Sequence, residues 1–429
     1  MGRTIAAATA AVMSVAMGAF GLMLPAVADT RPAIPAGGLA SGLCRALSRA
    51  VDAAAPSGPV FVASYSPGPG ETDLPGPLRT TAFSYDNAVA VIALVACGDR
   101  ARAGRIADAF VIAGRKDRTF TDGRIRNGYR AGPVADAPPN LPGWWDKDAG
   151  RWDEDAYQDG SATGNLAWVA LALLTMHEAT AASPATAADP YLATARHVLT
   201  WIGAHAADAP GPPGYAGGVT GFDTAQQVLT WQSTEHNIDV AAAAHWVSRL
   251  THDPAETAMA TRATGFVASR FQPEAGFFLL GTTPEGQDAA RDHLALDVQL
   301  WPVLGVPDAP TPWRRALGFA DAHLRRGDGM TFAGFGTNRW TEGSAQASLA
   351  FRSVGADAIA DGLLNGLAAH AAPSGLLYAT SAGTVPTGLK VEAENGGDFE
   401  YFHRPHIGAT AWATLAALRW NPFTGRKVN

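Results

Sequence analysis

Lysine and arginine nowhere form a basic run in this chain of 429 residues, whose formal net charge is −7. Phosphate backbones are gripped by clustered basic side chains, so nucleic acid is excluded as a partner. The HExxH, GxSxG, P-loop and dinucleotide-binding patterns are all missing. The histidines lack metal-ligand spacing; His403 and His406 are three apart, but at a loop–helix junction. No metal and no cofactor are therefore expected. The acidic stretch Asp146 to Asp155 alternates oxygen ligands as calcium loops do, but lacks the third early ligand and the spaced glutamate of an EF-hand. It reads as a solvated loop. Past the first two dozen residues, no segment is apolar for long enough to cross a membrane.

Those first residues look like an export signal. Arg3 supplies the positive start, Ile5 to Leu24 is uncharged and apolar, and Ala26-Val27-Ala28 fits a small-x-small cleavage site. Residues 1–28 are thus expected to be a signal peptide, with Asp29 as the mature start, residues 29–39 a linker, and residues 40–429 one catalytic domain. Pro25 and the AVA tripeptide favour cleavage over a retained anchor. The mature chain is expected to be periplasmic or extracellular, with no stable membrane insertion. There are only two cysteines, Cys44 and Cys97. One opens a helix and the other ends the next, so in an antiparallel hairpin they lie side by side. They form either a bridge in an oxidising compartment or two buried thiols.

Hydrophobic residues make up 47% of the chain. Much of that lies in six apolar segments, starting near Asp86, Gly164, Thr234, Leu294, Trp340 and Gly408 at intervals of roughly 45 to 80 residues. More amphipathic helices are expected between them at 40–55, 99–115, 188–206, 255–271, 310–325 and 355–371. Apolar helices with no polar face must be buried on all sides. Length alone suggests two or three domains, but repeat units cannot bury their faces singly. The expected fold is all-α: an (α/α)6 toroid of six helical hairpins, monomeric, with the apolar helices inside.

Short turns lead out of the inner helices, and long Gly-, Pro- and aromatic-rich connections lead into them: 116–163, 208–233, 272–293, 326–339 and 372–407. Long connections usually carry function. All of these fall at one end of the ring, at the inner-helix N-termini. Their aromatic residues, with Trp145, Tyr157, Trp231, Trp340 and Tyr401 among the candidates, suit stacking on sugar faces.

Acids recur at the same places. Glu235 and Asp239 are four apart on one helix face. Capping accounts for Glu235 but not for Asp239, a full turn inside. Asp86 opens the first inner helix, and Asp297 sits in an apolar run with Trp301 one turn on. Glu342 shares a face with Gln346. Asn165, His236 and His406 complete the candidates for binding substrate. In a six-membered ring the first and fourth inner helices are opposite, so Asp86 is expected to face Asp297. Two carboxyl groups flanking a sugar, one protonated and one ionised, are what glycoside hydrolysis needs.

The helix alternation, the one-sided long loops and segments such as SYDNA, STEHN-D, LDVQ-W, WTEG-AQ and HIGATAW resemble the six-hairpin glycosidase superfamily. The likeness is architectural and spans about residue 40 to Phe423. It implies acid–base roles at inner-helix N-termini, with Glu235 as acid and Asp86, Asp297 or Glu342 as base, and it implies inversion. The leading expectation is a secreted glycoside hydrolase. A polysaccharide lyase or sugar epimerase using Tyr401, His403, His406 or His236 is a second. A non-catalytic glycan-binding protein of exopolysaccharide export is a third.

Overall fold

The computed structural model describes residues 36–67, 74–181, 189–390 and 398–428. The expected signal peptide and most of the expected linker lie outside these residues. Helices run in the order α1 (Ala36–Ala54), α2 (Ser84–Ala96), α3 (Arg100–Arg115), α4 (Ala156–Asp159), α5 (Thr163–Thr180), α6 (Pro190–His205) and α7 (Thr234–Thr251). They continue with α8 (Pro254–Arg270), α9 (Leu296–Leu300), α10 (Pro302–Gly305), α11 (Arg315–Leu324), α12 (Thr341–Ser353), α13 (Asp357–Leu367) and α14 (Ile407–Leu418). The first helix starts at Ala36, so the end of the expected linker is helical instead.

Each inner helix packs on the next: α2 on α5, α5 on α7, α7 on α9 and α10, these on α12, α12 on α14, and α14 back on α2. Outside them, α1 packs on α14 and α2, α3 on α2 and α5, α6 on α5 and α7, α8 on α7, α11 on α9, and α13 on α12. This is the closed double ring of an (α/α)6 toroid. Burial explains the composition: from Ala88 to Leu94 every side chain of α2 is buried, as is every one from Leu166 to Met176 of α5. The outer helices carry side-chain caps where the chain turns outward, with Asp99, Asp189 and Asp253 each accepting from first-turn N–H groups. Pro190 and Pro254 occupy the first position after two of those caps, where no N–H is missed.

The fourth inner helix departs from the expectation of one continuous rod. It breaks at Trp301, because Pro302 has no N–H to continue the ladder and starts a new short turn. The long connections also differ from the unstructured loops expected: they fold into two- and three-stranded ribbons. Their attachment is regular. The first N–H of each inner helix donates to a carbonyl of a mouth connection: Ser84 to Asn127, Thr163 to Gly217, Thr234 to Leu280, Leu296 to Phe332, Thr341 to Ala379 and Ile407 to Ser64. The side chain three residues on often grips the backbone of another such connection. Asn87 exchanges two bonds with Val62, Asn237 two with Tyr215, and Gln299 two with Phe278. Ser344 accepts from Met330 N–H and Thr410 from Leu377 N–H. The connections are therefore fixed to the ends of the helices that carry the acids.

Cys44 and Cys97 are bonded, tying the middle of α1 to the end of α2. Among the described residues no helix is long and apolar enough to cross a membrane. The chain's last ribbon, Trp420–Asn421 with Arg426–Lys427, follows the end of α14, and its Asn421 donates to the Leu304 carbonyl of α10. Its Phe423 ring lies 5.0 Å from Trp168 and 5.4 Å from Trp301. Trp301 in turn stacks on Trp412 at 5.8 Å. These rings form the floor of the lumen.

Candidate active site

The acids gather above that floor, contributed by four inner helices: Asp86 from α2, Glu235 and Asp239 from α7, Asp297 from α9, and Glu342 from α12. The acids are largely enclosed, Glu235 less completely than the others. Asp86, Asp239, Asp297 and Glu342 are each at most 3% exposed. Enclosure sets their protonation. Burial, then the charges of Asp297 and Glu342, holds Glu235 well above the usual carboxylate range. Burial, then Glu235 and Asp297, does the same to Asp239. Burial raises Asp297 to about 7 against the pull of the Val298 N–H, and raises Glu342 to about 8 with help from Asp86. Removing water penalises the charged form, and several acids so treated must share protons.

The hydrogen bonds divide the cluster. Tyr85 donates its hydroxyl to Glu342 Oε1 at 2.5 Å and accepts from Trp412 Nε1 at 2.7 Å. Gln346 Nε2 also donates to Glu342 Oε1, at 3.2 Å. His406 Nε2 lies 3.2 Å from Asp86 Oδ2, while its Nδ1 accepts from the Ala409 N–H. The second contact fixes the tautomer: with Nδ1 accepting, the neutral ring carries its proton on Nε2 and donates to Asp86. Burial opposes a charged imidazole here, but Asp86 outweighs it and His406 is raised from its ordinary value. Asp86 fits because the facing residue of α14 is Gly408; a Cβ there would overlap Asp86 Oδ1. Gly164 makes the same room for the His236 ring.

One ligand atom each from Asp86, Glu342 and His406 lies within 4.8 Å of the others, which is the spacing of a metal site. The donor chemistry does not fit one. His406 Nδ1 is committed to the α14 cap and Nε2 holds the proton shared with Asp86, so neither nitrogen has a free lone pair.

Some candidates lie apart from the acids. Asp297 acts on Glu235, Asp239 and Glu342, while Asp86 has its contacts on another side. Its partners are His406 and Glu342, because α14 adjoins α2 and α12 comes next round the ring. Trp145 projects from an exposed ribbon, across from Trp152, and lines a surface cleft with Gly76, Arg79 and Lys147. The Asp146 carboxylate there caps its own turn. Trp301 and Trp340 are buried rather than presented as platforms, Trp340 against Phe332 and Tyr401. Asn165 gives its amide N–H groups to Asn127 and Tyr157. Trp231 packs on His236, whose pKa burial lowers to about 4. Two participants were not among the sequence candidates. Tyr85, next to Asp86, reaches Glu342 from the adjoining face of α2, and Trp168 rises from the floor beside Asp239. Tyr85 lies in the SYDNA segment and Trp168 in the apolar segment that starts near Gly164, but nothing in their spacing marks them as more than core.

Several buried polar atoms here lack a hydrogen-bond partner, among them Glu342 Oε2, Gln346 Oε1 and the indole N–H groups of Trp301 and Trp340, while the Trp168 indole N–H faces the Asp239 carboxyl and opposes the effect of burial on it. Such groups are rare and each needs an explanation.

No protein-family model matches the chain, and no curated protein matches it in sequence. Solved structures do match in fold. A glycosidase in complex with glucose aligns with a TM-score of 0.58 at 13% identity, over 89% of this chain and 96% of its own. The cellobiose 2-epimerase of Bacillus thermoamylovorans aligns at 0.59 and 10% identity, over 89% and 99%. The GH76 α-mannanase of Bacteroides thetaiotaomicron aligns at 0.54 and 10% identity, over 88% and 95%. The chain shares with them the (α/α)6 toroid.

Proposed function

We propose that this chain is an exported enzyme acting on sugars, and that it hydrolyses glycosidic bonds. The observation that carries the reading is the set of unpartnered buried groups. Unpartnered donors and acceptors occur together in the ring, the indole N–H groups of Trp301 and Trp340 with Glu342 Oε2 and Gln346 Oε1. An anion would meet several carboxyl groups, and a hydrocarbon would leave every one of these atoms unpaired. A polyhydroxylated ligand offers donors and acceptors at once. The fold-mates supply a consistent context, being described as glycosidase, mannanase and sugar epimerase. The Cys44–Cys97 bond suits the oxidising compartment that export would reach.

In the mechanism, Glu235 is the protonated acid and donates to the leaving glycosidic oxygen. A carboxylate opposite, Asp86 in the first place, takes a proton from the water that attacks the anomeric carbon. Asp86 and Glu342 approach within 4.8 Å. Inverting pairs stand roughly 6.5–9.5 Å apart to admit a water. The acid–base division therefore runs between Glu235 and the Asp86–Glu342 side, not within that side. Inversion is the outcome we propose; proton NMR of the first-formed anomer tests it. Epimerisation is a second reading, favoured by the His406–Asp86 pair facing the chamber. Chromatography of products from a panel of glucans and uronans separates the two, because hydrolysis shortens a chain and epimerisation does not.

A further inference from the structure

A ribbon of the last long connection pairs Thr384–Lys390 with Asp398–Phe402. Tyr401 and Phe399 are two apart on one face of it, with rings 5.7 Å from each other. Tyr401 stands in the field of Glu342, Asp297 and Asp86. Phe399 reaches the Tyr157 ring at 6.2 Å, and Tyr157 stands in the field of Glu235 and Asp86. The other strand is held by the connection that precedes α9: His293 Nε2 donates to the Thr387 carbonyl at 3.1 Å. Gly388 takes a positive φ of 73° there, and a Cβ would overlap Phe335 and His293. The Asp398–Phe402 strand thus reaches from Trp340, beside α12, to Tyr157 on the connection that leads into α5, with Tyr401 close to the acids between. Below, the lumen ends on Trp168, Trp301, Trp412 and Phe423.

Resting on the sugar reading above, we infer that the site takes the end of a sugar chain or a small free saccharide, and not an internal stretch of polymer. A polymer bound mid-chain must enter on one side of the acids and leave on the other. Here the floor is closed and the mouth is roofed, so a saccharide has one way in and none through. Substrate must end within about one or two units of the bond that reacts. The exposed aromatics Trp145 and Phe335, 55% and 57% exposed, then serve at most the part that remains outside.

Pairs of substrates that differ only in having ends test this. Linear malto-oligosaccharides and linear β-glucan oligosaccharides are compared with cyclodextrins and cyclic β-glucan. The readouts are product chromatography and intrinsic tryptophan fluorescence, which reports the floor rings. The expected result is single-unit release from, or fluorescence change with, a linear member, and neither with its cyclic counterpart. Phe399→Ala is expected to narrow that difference. Cyclic members bound or cleaved as well as linear ones, or mid-chain products from labelled linear ones, would overturn the inference and leave the sugar reading standing. Silence of both readouts with linear, cyclic and monomeric sugars alike would overturn the sugar reading itself, and the inference with it.

Discussion

Replacing Glu342 by Gln should make the protein more stable, by an amount that grows with pH. Glu342 is fully enclosed, and its pKa rises from 4.5 to about 8, with burial the largest cause. Between those values the folded chain holds a proton that the unfolded chain has lost. Stability therefore falls as pH rises across that window, by about 1.4 kcal/mol per pH unit for this one group. Below the lower value both states are protonated and nothing is lost; above the upper one both are ionised and the penalty is constant. Glutamine cannot ionise, and its amide oxygen can take the place of Oε1 as acceptor for Tyr85 and Gln346. Any fixed offset between Gln and protonated Glu is the same at every pH. The gap between variant and wild type should thus widen by roughly 2.7 kcal/mol from pH 5 to pH 7. It should widen a little further to pH 8 and then level off. Urea unfolding of both proteins at half-unit pH steps, followed by circular dichroism, measures this directly. A gap that stays constant from pH 5 to pH 8 would show that Glu342 is ionised in the folded chain. The enclosed, proton-sharing cluster would then be wrong.

Reducing Cys44–Cys97, or replacing both by Ser, frees a segment whose ends are 53 residues apart. That should cost about 4 kcal/mol in the chain-entropy treatment; differential scanning fluorimetry should show a lower Tm, and no shift would remove the bond as a stabiliser. Gly408→Ala should gain roughly 1 kcal/mol from helix propensity alone, yet its Cβ meets Asp86 Oδ1. We expect net destabilisation and loss of turnover, and a more stable, fully active variant would contradict the packing of Asp86. Activity should fall on the alkaline side as Asp297 and Glu342 lose protons through about 7 and about 8; a profile flat from pH 6 to pH 9 would deny these acids a part in the rate.

The ring was legible in the sequence because near-total apolarity over a dozen residues has few uses other than burial on every side. The mouth was legible because long connections fell on one end only, and the hooks at Asn87, Asn237 and Gln299 explain why those connections hold to the helices that carry acids. What sequence missed was depth. Trp340 read as a platform, but its ring packs on Phe332 and Tyr401, and the second of these contacts joins residues far apart in the chain. Ring order set Asp86 opposite Asp297, but its contact with His406, through the opening left by Gly408, and its approach to Glu342 were not legible. The contacts of Phe399 and Tyr401 were invisible because the alternating residues from Asp398 to Phe402 look like any strand until the ring around them exists.

The central claim is that Glu235 gives a proton to a sugar bond inside the roofed lumen. The most direct measurement compares the wild-type protein with Glu235→Gln on linear oligosaccharides, by product chromatography under identical conditions. Wild type should release sugar and the variant should lose turnover by about 10²–10⁴-fold, with its unfolding midpoint and its sugar-induced fluorescence change retained. Equal release by the two proteins would contradict the account.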